Sequence, residues 1–397
     1  MTHRSARPVV MLTNAIAPDK LGGLERYVRE LSARLVAADV DVTVLTKQVD
    51  PHHPLEEVGA DGVRVVRHPV PSKRDPLFAL KYPLSVGRGV LGGLRTRGEA
   101  VLHGHYAITS LPLTLPRRAA RRPYLYTFHA PVHKEVLSMH EGTYLLPAVV
   151  RRPAVAAVRA VERRVTTGAA GAIVLSDFMR EEFRALDPRG GTDVRVVAGG
   201  VDTGFFTPDG TTPRDPGDAP VLFTARRLTA RTGVAELVDA VPRMRAAFPG
   251  LTLSIAGDGT LRGQIQARIS ALGLDDVVTL LGRVSEEELR ERYRRADLTV
   301  MPTQELEGFG LTTAESMACG TPVLVTPAGA NPELVRDLSP KLVAAGTDPQ
   351  RIADGVVALL TDPGELRRVR LAARRWAHDR WSWDTVVAAH KTIYAGL

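Results

Sequence analysis

Short apolar runs alternate with helical patterns along the first half of the chain. Residues 9–12, 42–45 and 63–66 are rich in valine and leucine, which predicts buried strands. Between the first two runs, apolar residues from Leu24 to Leu35 recur on one face of a helix. Further strands are predicted at residues 101–102, 124–126, 173–175 and 194–197. Strands that alternate with helices are typical of a parallel, doubly wound α/β sheet.

A second strand–helix series follows a stretch rich in proline and glycine. Its predicted strands are residues 221–224, 251–255, 277–281, 298–301 and 323–325. We therefore predict an N-terminal Rossmann-like domain at 1–205, a linker at 206–220 and a C-terminal Rossmann-like domain at 221–379. A last helix, at about 380–397, is expected to pack back on the first domain.

Chain length and cysteine content indicate how many domains to expect and in which compartment. A chain of 397 residues is long enough for two domains. The single cysteine, Cys319, cannot form an internal disulfide, so we expect a reducing, cytoplasmic location. The sequence contains no long apolar run, and we expect neither a transmembrane segment nor a secretory signal.

The net charge of +8 raises the question of an anionic partner. Arginines cluster at residues 117–122 and 151–164, and solvated helix faces are the preferred interpretation of both clusters. We expect no nucleic-acid partner. A weak contact with a membrane surface, at its inner face, stays open.

The most informative segment runs from Pro302 to Pro322. An apolar strand precedes it, and after two glycines a helix is predicted to begin near residue 311. The backbone N–H groups at that helix N-terminus favour a phosphate. They belong to Phe309, Gly310 and Leu311. Glu307 and Glu315 flank them and suit the hydroxyls of a sugar and a ribose on either side of the phosphate.

This pattern resembles the donor site of retaining glycosyltransferases of family 4, with the sequence EGFGL followed by Glu315 and ACGTPV. The resemblance implies two Rossmann-like domains that face each other across a cleft, the fold called GT-B. It also implies a hexosyltransferase (EC 2.4) whose donor is a nucleotide-diphosphate sugar, a UDP-sugar first and a GDP-sugar next. No cofactor and no bound metal are expected. The acceptor would attack from the face that the nucleotide leaves, and a diphosphate oxygen would take its proton.

Other segments resemble the same family in chain order, and the likeness covers nearly the whole length. It implies that Gly22 and Gly23 face the donor diphosphate and that His129 reaches the donor sugar. The implied diphosphate ligands are Arg227 and Arg231, and Arg283 belongs to the loop that holds the base. We therefore assign catalysis to His129, Arg227 and Glu307, with the other named residues binding the donor.

Two positions depart from the family pattern. The family's diphosphate-binding turn usually carries a lysine where this chain has Thr232, and Arg231 precedes that position. A guanidinium shifted by one residue still suits oxyanions. Gly199 replaces a commoner asparagine, which changes a turn and not an obvious catalytic group.

Several alternatives stay open. His103, His105, His129 and His133 match no zinc signature, and neutral roles at helix starts explain them better than a metal does. His129 is interpreted as lining a cleft, although a buried core histidine is the other possibility. A sugar phosphorylase, a nucleotide-sugar epimerase and a non-catalytic nucleotide-sugar-binding protein share the expected fold. The acceptor is a small molecule, a glycan or a lipid-linked sugar, and residues 131–144 form its candidate lip.

Overall fold

The computed structural model describes residues 7–20, 22–72, 74–75, 77–95, 98–115, 122–134, 148–210, 217 and 219–397. Two compact units account for these residues. The first unit holds the described residues up to Gly199 together with Trp383–Leu397, and the second holds Gly200–Ser382. Three predictions lie partly or wholly outside the described residues: the arginines at 117–121, linker residues 211–216 and 218, and the acceptor lip beyond residue 134.

The first unit is built on an eight-stranded sheet in the order β3-β4-β2-β1-β5-β6-β7-β8. All neighbouring strands are parallel except β3 and β4, which are antiparallel. The strands are β1 (Val9–Leu12), β2 (Val42–Lys47), β3 (Glu56–Val58), β4 (Arg64–His68), β5 (Val101–Gly104), β6 (Tyr124–Phe128), β7 (Gly171–Val174) and β8 (Asp193–Val196). The central strands are buried along their whole length because helices cover both faces of a doubly wound sheet.

The helices of the first unit connect these strands. Their described bounds are α1 (Gly23–Ala37), α2 (Phe78–Leu94), α3 (Ala107–Ser110), α4 (Ala148–Gly168) and α5 (Asp177–Arg184), and the final helix α13 (Trp383–Ala395) joins them. The periodic apolar residues of α1 are its buried face, as the sequence predicts: Val28, Leu31 and Leu35 are fully buried.

The second unit is a five-stranded parallel sheet in the order β11-β10-β9-β12-β13. Its strands are β9 (Val221–Ala225), β10 (Thr252–Ala256), β11 (Val278–Gly282), β12 (Leu298–Met301) and β13 (Val323–Val325). Its helices are α6 (Val234–Ala247), α7 (Arg262–Ala271), α8 (Glu286–Arg295), α9 (Leu311–Ala318), α10 (Asn331–Val335), α11 (Pro349–Leu360) and α12 (Pro363–Trp381). The α/β fold class is confirmed.

Each sheet has a point where its strand order reverses direction. In the first unit the chain moves from β1 outward to β2 on one side and later returns to β5 on the other. In the second unit the corresponding neighbours are β9 and β12. Ligands of doubly wound sheets bind outside the carboxyl ends of the strands at such a switch point. The loops after β1, β5, β9 and β12 are therefore where functional side chains are expected.

The final helix belongs to the first unit. After the bridge between Val201 and Ser382, the chain enters α13, which packs against α1. The Trp383 ring lies 5.7 Å from the ring of Tyr27, and Lys391 donates to the carbonyl of Ala38 at 3.2 Å. The C-terminal segment Trp383–Leu397 thus completes the core of the first unit, although the rest of that unit comes from the first half of the chain.

Strand β3 and helix α2 are among the elements that the sequence-based prediction does not include. The edge strand β3 is short and polar, and its residues are exposed or half-buried, so no apolar run marks it. Helix α2 contains Pro83 and several glycines, which weaken its helical pattern. Tertiary packing supplies what these local patterns lack, since α2 lies on β4.

Candidate functional site

An ion pair joins the two strands at the switch point of the second unit. Arg226 follows β9, and Glu307 lies in the loop that follows β12. The Nη2 atom of Arg226 is 2.7 Å from Oε2 of Glu307, and both side chains are largely buried. The same nitrogen donates to Oγ1 of Thr303 at 3.1 Å. Glu307 is therefore held at the carboxyl ends of the strands, where the sequence places a sugar-binding carboxylate.

The loop that carries Glu307 has a constrained backbone. Leu306 has a φ of 52°, in the left-handed region that β-carbon-bearing residues seldom adopt. Gly329 has a φ of 60°, and a β-carbon there would lie 2.6 Å from the backbone N and O of Glu307. The Ala330 N–H also donates to the Glu307 carbonyl at 2.9 Å. Close backbone contact with residues 329–330 thus fixes the position of Glu307.

Helix α9 begins beside this loop, as the sequence predicts. Gly310 is its N-cap with a φ of 95°, and the Phe309 ring is buried edge-on against Trp381 at 6.0 Å. Thr312 donates to the last carbonyl of β9, at Ala225, over 3.2 Å. Within the described chain, no protein acceptor pairs with the backbone N–H of Phe309, Gly310 or Leu311. These groups and the helix dipole suit an anion.

The two arginines predicted to bind diphosphate have different surroundings. Arg227 is exposed, and its guanidinium contacts no partner among the residues that the structure describes. Arg231 donates from Nη1 to the carbonyl of Leu306 at 3.0 Å, so it lies at the base of the Glu307 loop. Thr232 is buried, and its hydroxyl lies 2.7 Å and 2.6 Å from the carbonyls of Arg227 and Thr229. Thr232 thus stabilises the turn and does not replace the missing lysine charge.

Glu315 and Arg283 occupy contrasting environments. Glu315 lies in α9 and is only 4% exposed, and its Oε2 accepts a hydrogen bond from the Tyr293 hydroxyl at 3.1 Å. Burial, followed by the nearby Glu315 charge, raises the pKa of Tyr293 well above its ordinary value, so Tyr293 stays a donor. Arg283 is exposed directly after β11. Their roles towards ribose and base stay predictions.

Sequence reasoning missed several polar side chains of this site. The sequence-based prediction names Arg227 and not Arg226, and only the end of β9 at Ala225 shows which arginine reaches Glu307. Asn331 is fully buried, yet neither its Oδ1 nor its Nδ2 has a partner among the described residues. Thr313 Oγ1 and Arg226 Nε are also buried without a partner there. These polar groups surround the start of α9.

The glycine pair of the first unit lies where α1 begins, at the carboxyl side of the central strand β1. Gly22 is the N-cap of α1 with an extended backbone, and Arg26 N–H donates to its carbonyl at 3.0 Å. A β-carbon at Gly22 would lie against the Glu25 carboxylate, whereas one at Gly23 would meet nothing within 4 Å. The open position of Gly23 is suited to a ligand that approaches the helix N-terminus.

His129 directly follows β6 and is half-buried. Its Nε2 lies 3.2 Å from Nδ1 of His105, and the Tyr27 ring packs edge-on against it at 5.0 Å. Burial, with a smaller effect of His390, lowers the pKa of His129 to about 3. At neutral pH His129 is therefore an uncharged imidazole.

His103, His105 and His390 form a buried cluster below His129. His103 lies in β5, so its interpretation as a residue at a helix start is wrong, whereas His105 directly precedes Tyr106, the N-cap of α3. His103 is a residue of β5, and its ring nitrogens lie 2.8 Å from the Tyr394 hydroxyl and 2.7 Å from Oγ1 of Thr127. The Tyr27 hydroxyl donates to His390 Nε2 at 3.3 Å, because His390 Nδ1 donates to the Val386 carbonyl. Across the described ranges, no group of three potential ligands is arranged to hold a metal ion.

Family models match both halves of the chain. Residues 22–200 match the glycosyl transferase 4-like domain, and residues 212–376 match the glycosyl transferases group 1 model. The chain belongs to glycosyltransferase family 4. The family resemblance seen around Glu307 and Glu315 is confirmed, and so is the GT-B fold class.

Relatives of this glycosyltransferase match it over nearly its full length. A GDP-mannose-dependent α-(1-6)-phosphatidylinositol monomannoside mannosyltransferase of Mycolicibacterium smegmatis is 29% identical, over 98% of both chains. A D-inositol 3-phosphate glycosyltransferase of Acidothermus cellulolyticus is 31% identical, over 94% of this chain and 85% of the relative. The solved structure of Anabaena HepE with UDP-glucose has a TM-score of 0.73 at 19% identity, covering 98% of this chain and all of HepE (100%).

No helix in the part of the glycosyltransferase that the structure describes has the length and apolarity to cross a membrane.

Replacing Gly329 should disturb the Glu307 loop. Gly329→Ala forces a β-carbon into a left-handed backbone position and against the backbone of Glu307, so we expect a loss of stability of about 1–3 kcal/mol. Gly273 has a similar φ of 63° but open space around it, so Gly273→Ala is the matched control. Urea unfolding measures both variants. Equal losses in the two would show that contact with Glu307 does not constrain residue 329.

The histidine cluster should make stability depend on pH. Burial lowers the pKa of His129 to about 3 and that of His390 to about 4, whereas an unfolded histidine titrates near 6.5. Above pH 6.5 neither state takes up a proton. As the pH falls below 6.5, these histidines bind protons in the unfolded chain but not in the folded chain, so the free energy of unfolding decreases. Each of the two histidines then removes up to about 1.4 kcal/mol of stability per pH unit.

Urea unfolding at pH 7.5 and pH 5 measures this loss. His390→Gln keeps an acceptor for Tyr27 without a titrating ring and should reduce the difference between the two pH values. The exposed residue His52 supplies the control variant His52→Gln, which should leave the difference unchanged. A pH dependence that His390→Gln does not alter would contradict the role of the cluster.

Proposed function

We propose that this glycosyltransferase is a retaining hexosyltransferase that moves a sugar from a nucleotide-diphosphate donor to an acceptor hydroxyl. The observation that carries the proposal is the Arg226–Glu307 pair at the switch point, beside the N-terminus of α9. With one carboxylate oxygen held by Arg226, the other can accept hydrogen bonds from sugar hydroxyls. The anion-binding helix start then takes the adjoining phosphate.

Charge on the departing diphosphate is neutralised by Arg227, Arg231 and the backbone N–H groups of residues 309–311. Arg227 is exposed and uncommitted among the described residues, which suits a guanidinium that binds only when the donor arrives. Once the donor is bound, positive charge held where negative charge develops is a large source of rate acceleration. Such stabilisation does the work that a divalent metal does elsewhere, so catalysis proceeds without a bound metal.

The rest of the donor contacts follow from the family resemblance. Glu315 accepts from the ribose hydroxyls and Arg283 lies along the base, while Gly22 and Gly23 leave room for the diphosphate. His129 positions the donor sugar by a hydrogen bond. The acceptor hydroxyl attacks from the face that the nucleotide leaves and passes its proton to a diphosphate oxygen, so no protein residue serves as nucleophile.

The proposed classes of donor and acceptor are inferred from the compounds named for similar proteins. HepE was solved with UDP-glucose, and the mycobacterial relative is named for GDP-mannose. A UDP-sugar is the first donor to test and a GDP-sugar the second. The names of the two relatives include phosphatidylinositol monomannoside and D-inositol 3-phosphate, which supports a lipid-linked or small-molecule acceptor here. A cytoplasmic location and a weak contact with a membrane surface stay predictions.

Removing Arg227 should abolish most turnover without unfolding the protein. In Arg227→Ala the leaving diphosphate loses one fixed positive partner, and we expect kcat to fall by roughly 10²–10³-fold. Arg367 is also exposed and lies near the start of α12, outside the loops that follow β9 and β12, so Arg367→Ala is the control. Release of nucleoside diphosphate measures the rate, and circular dichroism checks folding. Activity of Arg227→Ala equal to the control would remove Arg227 from the mechanism.

The stereochemistry of the product tests the retaining mechanism. An α-linked nucleotide sugar should give an α-linked product, and EDTA should leave the rate unchanged because the arginines supply the positive charge. NMR of the anomeric proton identifies the linkage. A β-linked product would establish inversion, and the roles of Glu307 and His129 would be withdrawn. Formation of a sugar 1-phosphate from inorganic phosphate would indicate a phosphorylase. Conversion of the nucleotide sugar into a different nucleotide sugar in the absence of an acceptor would indicate an epimerase.

A further inference from the structure

Two histidines meet at the carboxyl ends of neighbouring strands in the first unit. His105 follows β5 and His129 follows β6, and the register of these strands places Gly104 opposite Tyr126. Nδ1 of His105 and Nε2 of His129 lie 3.2 Å apart, within hydrogen-bond distance. Between two neutral imidazoles, one nitrogen must donate and the other must accept.

We infer that His105 is a positioning residue: it donates its Nδ1–H to Nε2 of His129 and thereby holds His129 in the tautomer that carries its proton on Nδ1. The inference rests on the proposed function, in which His129 forms a hydrogen bond with the donor sugar. His129 Nδ1 has no partner in the described part of the chain, so this N–H is available to donate to a sugar hydroxyl. His129 then cannot serve as the base for the acceptor.

The direction of the hydrogen bond follows from the second nitrogen of His105. Its Nε2 is buried and has no partner among the described residues. If His105 instead accepted at Nδ1, its proton would be on Nε2, which would then be a buried N–H with no acceptor. Buried N–H groups without partners are rare in folded proteins. Donation from Nδ1 leaves only an unpaired acceptor at Nε2. The His105 ring is fixed in place by the His103 ring, whose centroid lies 4.0 Å away.

The groups around the pair keep both rings uncharged. Tyr27 of α1 and His103 of β5 are the titratable residues whose rings pack against the pair, and His390 and Tyr394 of α13 pack in turn against His103. In the described ranges, no carboxylate forms an ion pair with His105 or His129. Burial, followed by the neighbouring histidines, lowers the pKa of His105 well below its ordinary value. The hydrogen bond therefore joins two neutral rings throughout the physiological pH range.

Two substitutions at His105 separate its hydrogen bond from its bulk. His105→Phe keeps a ring but removes the donor, whereas the side-chain amide of His105→Asn keeps a donor near the position of Nδ1. Nitrogen-15 NMR of labelled histidine rings at pH 7 reports the tautomer of His129, with His129→Gln to identify its signals. Initial rates with the nucleotide sugar of the proposed reaction give kcat and KM. His52→Phe, at an exposed position, is the control, and circular dichroism checks folding.

The wild type should show His129 protonated at Nδ1 and unprotonated at Nε2. His105→Phe should shift His129 towards the Nε2–H tautomer and lower kcat by about tenfold with little change in KM, the loss of about one hydrogen bond. His105→Asn should restore both properties.

A proton on Nε2 of His129 in the wild type would overturn the inference, as would an unchanged tautomer in His105→Phe. A changed tautomer with unchanged kcat would remove the positioning role. Absence of transfer by the wild type would refute the proposed function alone, because the NMR spectra decide the tautomer without turnover.

Discussion

The site depends on one geometric constraint: parallel strands bring their carboxyl ends to the same edge of a sheet. In the second unit this constraint places Arg226 after β9 and Glu307 after β12, close enough for a 2.7 Å ion pair. The pair orients the carboxylate, and the start of α9 is anchored to β9 through Thr312. A carboxylate and a helix start with backbone N–H groups unpaired among the described residues therefore lie on one framework, as the proposed binding of a nucleotide sugar requires.

The first unit applies the same constraint to different chemistry. The ends of β5 and β6 bring His105 and His129 together, above a cluster closed by His390 and Tyr394 of the final helix. Burial disfavours the imidazolium form, so His129, the half-buried end of this cluster, is a neutral hydrogen-bonding ring. Residues separated by more than 250 positions in sequence thus determine the charge state of one candidate catalytic group.

Local patterns predict most of the fold but only part of the site. Apolar runs identify the buried strands, and the glycines before Leu311 identify the start of α9, because each signal lies within a few residues. The pairing of Glu307 with Arg226 depends on the residue at which β9 ends. A run of apolar residues predicts a strand but does not determine its last residue. The buried polar residue Asn331 has no local signature at all. Its position beside the start of α9 follows only from the packing of α10 against Gly310, a contact that the local sequence does not show.

Titration calorimetry with UDP, GDP and ADP in the presence of EDTA determines whether the switch point of the second unit binds a nucleoside diphosphate. We expect the wild type to bind one of them at micromolar to millimolar concentration, and an Arg227→Ala, Arg231→Ala double variant to lose at least about tenfold in affinity, equivalent to about 1.4 kcal/mol. Failure of the wild type to bind any of the three would show that this switch point is not a nucleotide site, and undiminished binding by the double variant would show that the two arginines do not hold the diphosphate.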